Sequence, residues 1–131
     1  MAEKKVLVVD DEIHIVHVVA IKLRNNGYEV ISAQNGAEAF ELASQEKPDI
    51  VVTDYQMPVM TGLELVAKLR QCEVTKEMPV IMLTARSFAI EDDQKQKLQI
   101  SAFLSKPFSP KELLRCIEDV LYHGSVLQKQ L

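Results

Sequence analysis

Nothing in this chain is long and apolar. Its uninterrupted hydrophobic runs are a few residues each, far short of the roughly 20 that span a bilayer as a helix. The amino terminus offers two lysines and only the apolar run Val6–Val9 before Asp10. A secretory leader has a longer apolar stretch, so the chain is expected to be cytoplasmic. Basic charge is also scarce: 15 Lys and Arg stand against 19 Asp and Glu, a net charge of -4. That balance argues against a general nucleic-acid binder, which carries a basic patch. The two cysteines, Cys72 and Cys116, lack metal-ligand spacing and read as structural residues within helices. Residues 1–122 contain no internal repeat, low-complexity segment or linker. Residues 123–131 read as a tail, or as the start of a linker.

What remains is 131 residues that are 47% hydrophobic, enough for one compact domain with a core. Five short apolar runs stand out: Lys5–Val9, Glu29–Ala33, Ile50–Thr53, Val80–Leu83 and Ala102–Ser105. They are largely continuous rather than alternating, as in strands covered on both faces. Helical patterns lie near Glu12–Asn25, Gly36–Gln45, Gly62–Gln71, Ala89–Leu98 and Pro110–Tyr122. Start signals precede several of them. Asn35 and Glu38, Thr61 and Glu64, and Ser109 and Glu112 share capping-box spacing, with Pro110 at a first helical position. Gly27 is placed to stop the first helix in a left-handed turn. Strand and helix alternating five times predict an α/β fold, a five-stranded parallel sheet doubly wound by helices. The pattern alone leaves the strand order open.

Ligands of such sheets sit beyond the carboxyl ends of the strands. Those ends are polar here: Asp10-Asp11-Glu12 after the first strand, Asp54 after the third, Thr84-Ala85 after the fourth and Lys106-Pro107 after the fifth. Carboxylates gathered on one rim repel unless a cation joins them. A hard divalent ion with oxygen ligands, Mg²⁺ above all, resolves the conflict and keeps positions for phosphoryl oxygens. Lys106 adds a second positive charge and Thr84 a hydroxyl. Asp54, alone at its strand end, is then the candidate nucleophile for an aspartyl phosphate, and Asp10 and Asp11 the candidate metal clamp. The plainer alternative is that each acid merely caps a turn or faces solvent.

With these residues the sequence resembles the receiver domain of two-component response regulators, chemotaxis regulators included. The matching segments are Val8-Val9-Asp10-Asp11-Glu12, Asp54-Tyr-Gln-Met-Pro58 with Gly62, Pro79-Val-Ile-Met-Leu-Thr-Ala85 and Phe103-Leu-Ser-Lys-Pro-Phe108. The resemblance implies a flavodoxin-like strand order, 2-1-3-4-5. It implies that Asp54 takes a phosphoryl group from a sensor histidine kinase or phosphotransfer protein, or from a small donor such as acetyl phosphate. Asp11, Asp54 and the backbone carbonyl of Gln56 would hold Mg²⁺ directly, and Asp10 largely through water. Lys106 would pair with Asp54, and its bond to Pro107 would be cis. Thr84 and Phe103 would form the switch, reshaping the face made by the fourth helix, fifth strand and fifth helix. That face would act on a downstream effector protein or an attached output domain. Such a protein is a signalling phosphoacceptor rather than an enzyme acting on other substrates.

The sequence departs from the family in places. Gln99-Ile100-Ser101-Ala102 lacks the usual glycine before the fifth strand, which leaves the end of the fourth helix without its ordinary left-handed residue. Thr61 stands where an acid is common. Gln56 and Arg86 occupy variable positions beside the site. The first helix, Ile13-His-Ile-Val-His-Val-Val-Ala-Ile21, is apolar on more than one stripe. The surplus reads as a docking surface for a kinase helix bundle, a dimer seam or a thicker core. His14 and His17 read as unrelated helix histidines. Three other functions compete with the signalling reading. An aspartate-nucleophile phosphatase wants a second acid where Gln56 stands. A flavin carrier wants a phosphate loop where Asp10-Asp11-Glu12 would repel one. An unphosphorylated interaction module has no need for the acid, threonine and lysine set.

Overall fold

The computed structural model describes residues 3–85 and 96–123. Its elements are β1 (Lys5–Val9), α1 (Ile13–Asn25), β2 (Glu29–Ala33), α2 (Gly36–Glu46), β3 (Ile50–Asp54), α3 (Gly62–Arg70), β4 (Val80–Ala85), β5 (Ala102–Lys106) and a C-terminal helix (Pro110–His123). The strands form one sheet in the order β2-β1-β3-β4-β5, and every neighbouring pair is parallel. This is the doubly wound, flavodoxin-like arrangement. Residues 96–98 are helical. The rest of the helix expected over Ala89–Leu98 falls outside the described residues, apart from that turn, as do Arg86 and the tail beyond His123. No helix among the described residues is long and apolar enough to cross a membrane.

Continuous apolar runs form strands here because both sheet faces are covered. Side chains alternate between faces with period two. Val6, Val8, Ile50, Val52, Ile81 and Leu83 pack with α1 and the C-terminal helix. Leu7, Val9, Val51, Val80 and Met82 pack with α2 and α3. Each helix contributes one buried stripe, such as Val16, Val19, Ala20 and Leu23 on α1. Truncating Leu23 or Leu65, both fully buried, to alanine costs about 2–5 kcal/mol by the usual core rule.

Three strands run further than apolar pattern suggests. β3 includes Asp54, β4 includes Thr84 and Ala85, and β5 includes Lys106. The ladder is made of backbone groups, so Asp54 pairs opposite Leu83 and Lys106 opposite Ala85 whatever their side chains. Cys72 corrects another expectation. It lies half-buried in the turn after α3, whereas Cys116 is buried within the C-terminal helix.

The helix starts follow their signals. The Thr61 hydroxyl accepts from the Glu64 amide and the Glu64 carboxylate accepts from the Thr61 amide, a complete capping box. Ser109 and Glu112 make the same reciprocal pair. Asn35 accepts from the Glu38 amide, while Glu38 reaches one residue further back, to the Gln34 amide. Gly27 has φ 89; its amide and that of Tyr28 donate to the carbonyls of Arg24 and Leu23, closing α1.

Gln99 adopts the left-handed conformation (φ 54) without being glycine. Arg70, at the end of α3, holds that turn. Its Nε donates to the Leu98 carbonyl (2.8 Å) and an Nη to that of Gln99 (3.2 Å). Its other Nη donates to the carbonyls of Lys76 and Met78. One guanidinium thus ties the end of α3, the loop before β4 and the turn before β5. Burial pushes its pKa down, yet arginine remains charged in proteins, so all four bonds are charge-assisted.

Candidate functional site

Three chain segments carry their sheet-face periodicity into a charged residue. Val6-Val8-Asp10, Ile50-Val52-Asp54 and Ala102-Leu104-Lys106 each continue the face that packs on α1 and the C-terminal helix. The Asp10 amide still donates to Ala33, extending the β1–β2 ladder past the strand's last residue. Because β1, β3, β4 and β5 are neighbours in one parallel sheet, the three charged side chains converge on one rim.

The convergence is close. Lys106 Nζ lies 3.2 Å from Asp10 Oδ2, 3.3 Å from Asp54 Oδ1 and 3.5 Å from Glu12 Oε1. Asp10 is fully buried and Asp54 nearly so, while Glu12 is exposed. Asp10 Oδ1 also accepts from the Glu12 amide (2.9 Å). The Lys106–Pro107 bond is cis. Lys106 therefore bridges Asp10 as well as Asp54, and Glu12 joins it, a contact beyond the Lys106–Asp54 pair that the family resemblance implies. Its only sequence signal is adjacency to the acidic pair.

The site's charges are poorly compensated. Burial first, and then the neighbouring Asp10 charge, push Asp54 above the ordinary aspartate range against the pull of Lys106. Burial likewise raises Asp10, opposed by the Glu12 amide and Lys106. Burial alone would lower Lys106, but Asp10 and Asp54 outweigh it and its pKa rises. Carboxylate oxygens of Asp10, Asp11 and Asp54 lie within 4.8 Å of one another and can hold a metal ion. Three hard oxygen donors with one exposed side fit a small divalent cation that retains water, as Mg²⁺ does.

Thr84 is the next-to-last residue of β4, 5% exposed and opposite Ser105. Phe103, opposite Met82, packs half-buried against the core on the α2 and α3 side. By period two, Thr84 and Phe103 share that face, opposite to the Asp10–Asp54–Lys106 face. Gln56 is exposed in the loop after β3.

That loop is tightly closed. The Gly62 amide donates to the Tyr55 carbonyl (2.8 Å), and a Cβ at Gly62 would stand 2.5 Å from the Asp54 carbonyl oxygen. Only glycine permits the approach. The Met60 amide donates to the Pro58 carbonyl (2.8 Å), which places Val59 (φ 72) at the centre of a γ-turn. A β-branched residue there carries strain of about 1–3 kcal/mol. Its side chain is 89% exposed.

Comparison with known proteins agrees with this geometry. The model of the response regulator receiver domain matches residues 6–118. Over 123 residues the chain is 38% identical to the phosphate regulon transcriptional regulatory protein PhoB of Pseudomonas aeruginosa, covering 92% of this chain and 53% of that protein. The chain spans about half the length of the curated relatives it matches. The structure resembles the chemotaxis response regulator CheY4 of Vibrio cholerae, with a TM-score of 0.85 at 37% identity, covering 92% of this chain and 100% of that one. It also resembles the receiver domain of a sensor histidine kinase from Pseudomonas aeruginosa, solved with a magnesium ion coordinated in its active-site cleft. There the TM-score is 0.79 at 28% identity, covering 92% of this chain and 98% of that one.

Proposed function

Since the chain belongs to the response regulator receiver domain family, we propose that it is a phosphorylation-driven switch whose acceptor is Asp54. The supporting observation is the convergence of Asp10, Asp11, Asp54 and Lys106 on one rim. An Asp54 carboxylate oxygen attacks phosphorus, the bond to the donor's histidine nitrogen breaks, and its electron pair leaves with the imidazole. Asp10, Asp11, Asp54 and the Gln56 carbonyl would hold Mg²⁺, with Asp10 acting largely through water. Mg²⁺ supplies charge neutralisation for the phosphoryl oxygens. Lys106, already between Asp10 and Asp54, supplies the protein's own cation. The Thr84 hydroxyl turns toward the phosphoryl group, and Phe103 on the same sheet face repacks. The surface of the fourth helix, β5 and the C-terminal helix changes as a result, and acts on an effector or output domain. The receiver comprises residues 1–122, with a tail or linker after it, and works in the cytoplasm.

The donor has a surface to meet. Ile13, Val18 and Ile21 on α1 are about half exposed, and Ile13, His17 and Ile21 fall on one stripe. Beside them lies a 550 Å³ cleft lined in part by Ile15, Val19, Pro107 and Phe108. An apolar stripe of this kind fits the helices of a kinase or phosphotransfer protein.

Intact mass after incubation with acetyl phosphate and Mg²⁺ tests the reading. One added phosphoryl group is expected, absent in Asp54→Asn. A wild-type chain that stays unlabelled, or an Asp54→Asn chain that is labelled equally, overturns it.

A further inference from the structure

We infer that Val59 is a specificity-determining contact for protein phosphodonors, and that its strained turn exists to present an apolar tip to them. This rests on the reading of Asp54 as the acceptor. Asp54 is recessed, its side chain only 9% exposed. A small donor enters such a recess alone. A histidine carried on a protein reaches it only if the carrier's surface closes over the surrounding loops. One of those loops, residues 55–61, leaves directly from Asp54 and returns to it, since the Gly62 amide binds the Tyr55 carbonyl. Any such carrier therefore comes down on this loop.

Within the loop, Val59 combines two unfavourable features. Its backbone is left-handed at φ 72, which a β-branched residue resists, and its side chain is 89% exposed. A side chain so exposed adds almost nothing to the core. The neighbours Met57 and Met60 point inward: Met57 is buried, and Met60 packs where a Cβ on Gly36 would stand 2.8 Å away. They anchor the loop, and the γ-turn between Pro58 and Met60 pushes Val59 outward. Glycine or asparagine would hold the same turn with less strain, but neither offers apolar surface. The occupant is the histidine-bearing donor itself, covering the valine as it covers Asp54.

The test compares two donors on the intact chain. The small donor is acetyl phosphate with Mg²⁺. The protein donor is whichever member of a panel of autophosphorylated sensor-kinase cores labels the wild-type chain fastest. Val59→Gly and Val59→Asn are expected to melt no lower than wild type and to take acetyl phosphate at the wild-type rate. Their second-order transfer rate from the kinase core is expected to fall about tenfold, as removal of one well-buried apolar contact predicts. Val59→Leu, which restores apolar surface, is expected to recover most of the loss. Equal falls with both donors would mean that Val59 acts on the acceptor chemistry, and would overturn the inference. Unchanged transfer from the kinase core would do the same. A wild-type chain labelled by neither donor would instead remove the premise that Asp54 is an acceptor.

Discussion

At the amino-terminal rim of the sheet, Lys5 Nζ lies 3.1 Å from Glu46 and 3.7 Å from Glu29, with all three side chains partly in water. Its backbone amide binds Asp49 (2.7 Å). At the carboxyl rim, Lys106 meets Asp10, Glu12 and Asp54 at similar distances. The contact patterns match, but the surroundings do not. Solvent screens the first cluster, and its hydrogen bonds simply raise the Lys5 pKa. At the second, burial raises the pKa of both Asp10 and Asp54 in spite of the lysine. An exposed cluster of this kind adds little to stability. A buried one with more acid than base stores unfavourable charge, which an added cation or phosphoryl group can exploit.

Substitutions sharpen this contrast. The largest effect is expected from Asp54→Asn, which should abolish phosphoryl labelling while raising the melting temperature of the metal-free protein, because it removes a repelled carboxylate. A lower melting temperature would mean that the acidic rim is not under charge stress. Next is Lys106→Met. It leaves the buried Asp10 carboxylate with an amide but no cation, at a cost of about 2 kcal/mol once the partial exposure of Lys106 is discounted. Urea midpoints with and without Mg²⁺ should show that loss, and the ion should narrow it. A loss that Mg²⁺ leaves unaltered would sever the lysine from the acids proposed to hold the metal.

The pH response should distinguish the rims as well. Asp10 and Asp54 have raised pKa values in the folded chain, so between the unfolded and folded values the native state holds more protons. Stability is then present below the ordinary aspartate value of about 3.9 and falls as pH rises through the folded values. Lys106, also raised, stays protonated in both states across this range, so its stabilisation is constant there and is lost only in alkali, as pH rises through its folded value. Urea midpoints of metal-free protein should decline across mildly acid pH, and saturating Mg²⁺ should flatten the decline. A rising curve would contradict the assignment. Smallest of all should be Lys5→Met, a slight midpoint shift that disappears in high salt; a large, salt-resistant shift would erase the distinction between the rims.

Much of this was legible in the sequence, for reasons that the same contrast makes plain. Val6–Val9, Ile50–Val52 and Val80–Leu83 are fully buried on both sheet faces, so apolar pattern alone marked them. Capping spacings located α2, α3 and the C-terminal helix because a side chain and an amide three residues apart must meet there. The acids and Lys106 were visible as polar strand ends, although strand order came only through family resemblance. Three features stayed hidden. Asp54, Thr84 and Lys106 belong to the ladder through backbone bonds that hydropathy does not register. Glu12 reaches Lys106 by a contact that sequence distance conceals. The left-handed Gln99 is held by Arg70, 29 residues away, so inspection of its own neighbourhood suggested only a missing glycine.

Arg70 has a consequence for how this fold can drift. Its grip on residues 76, 78, 98 and 99 is entirely through main-chain oxygens, and every amino acid offers the same oxygen. As far as that joint is concerned, those positions can diverge among descendants without loosening it. Position 70 has no such latitude: a lysine there, with one compact ammonium in place of a planar fork, could not reach four acceptors on two segments.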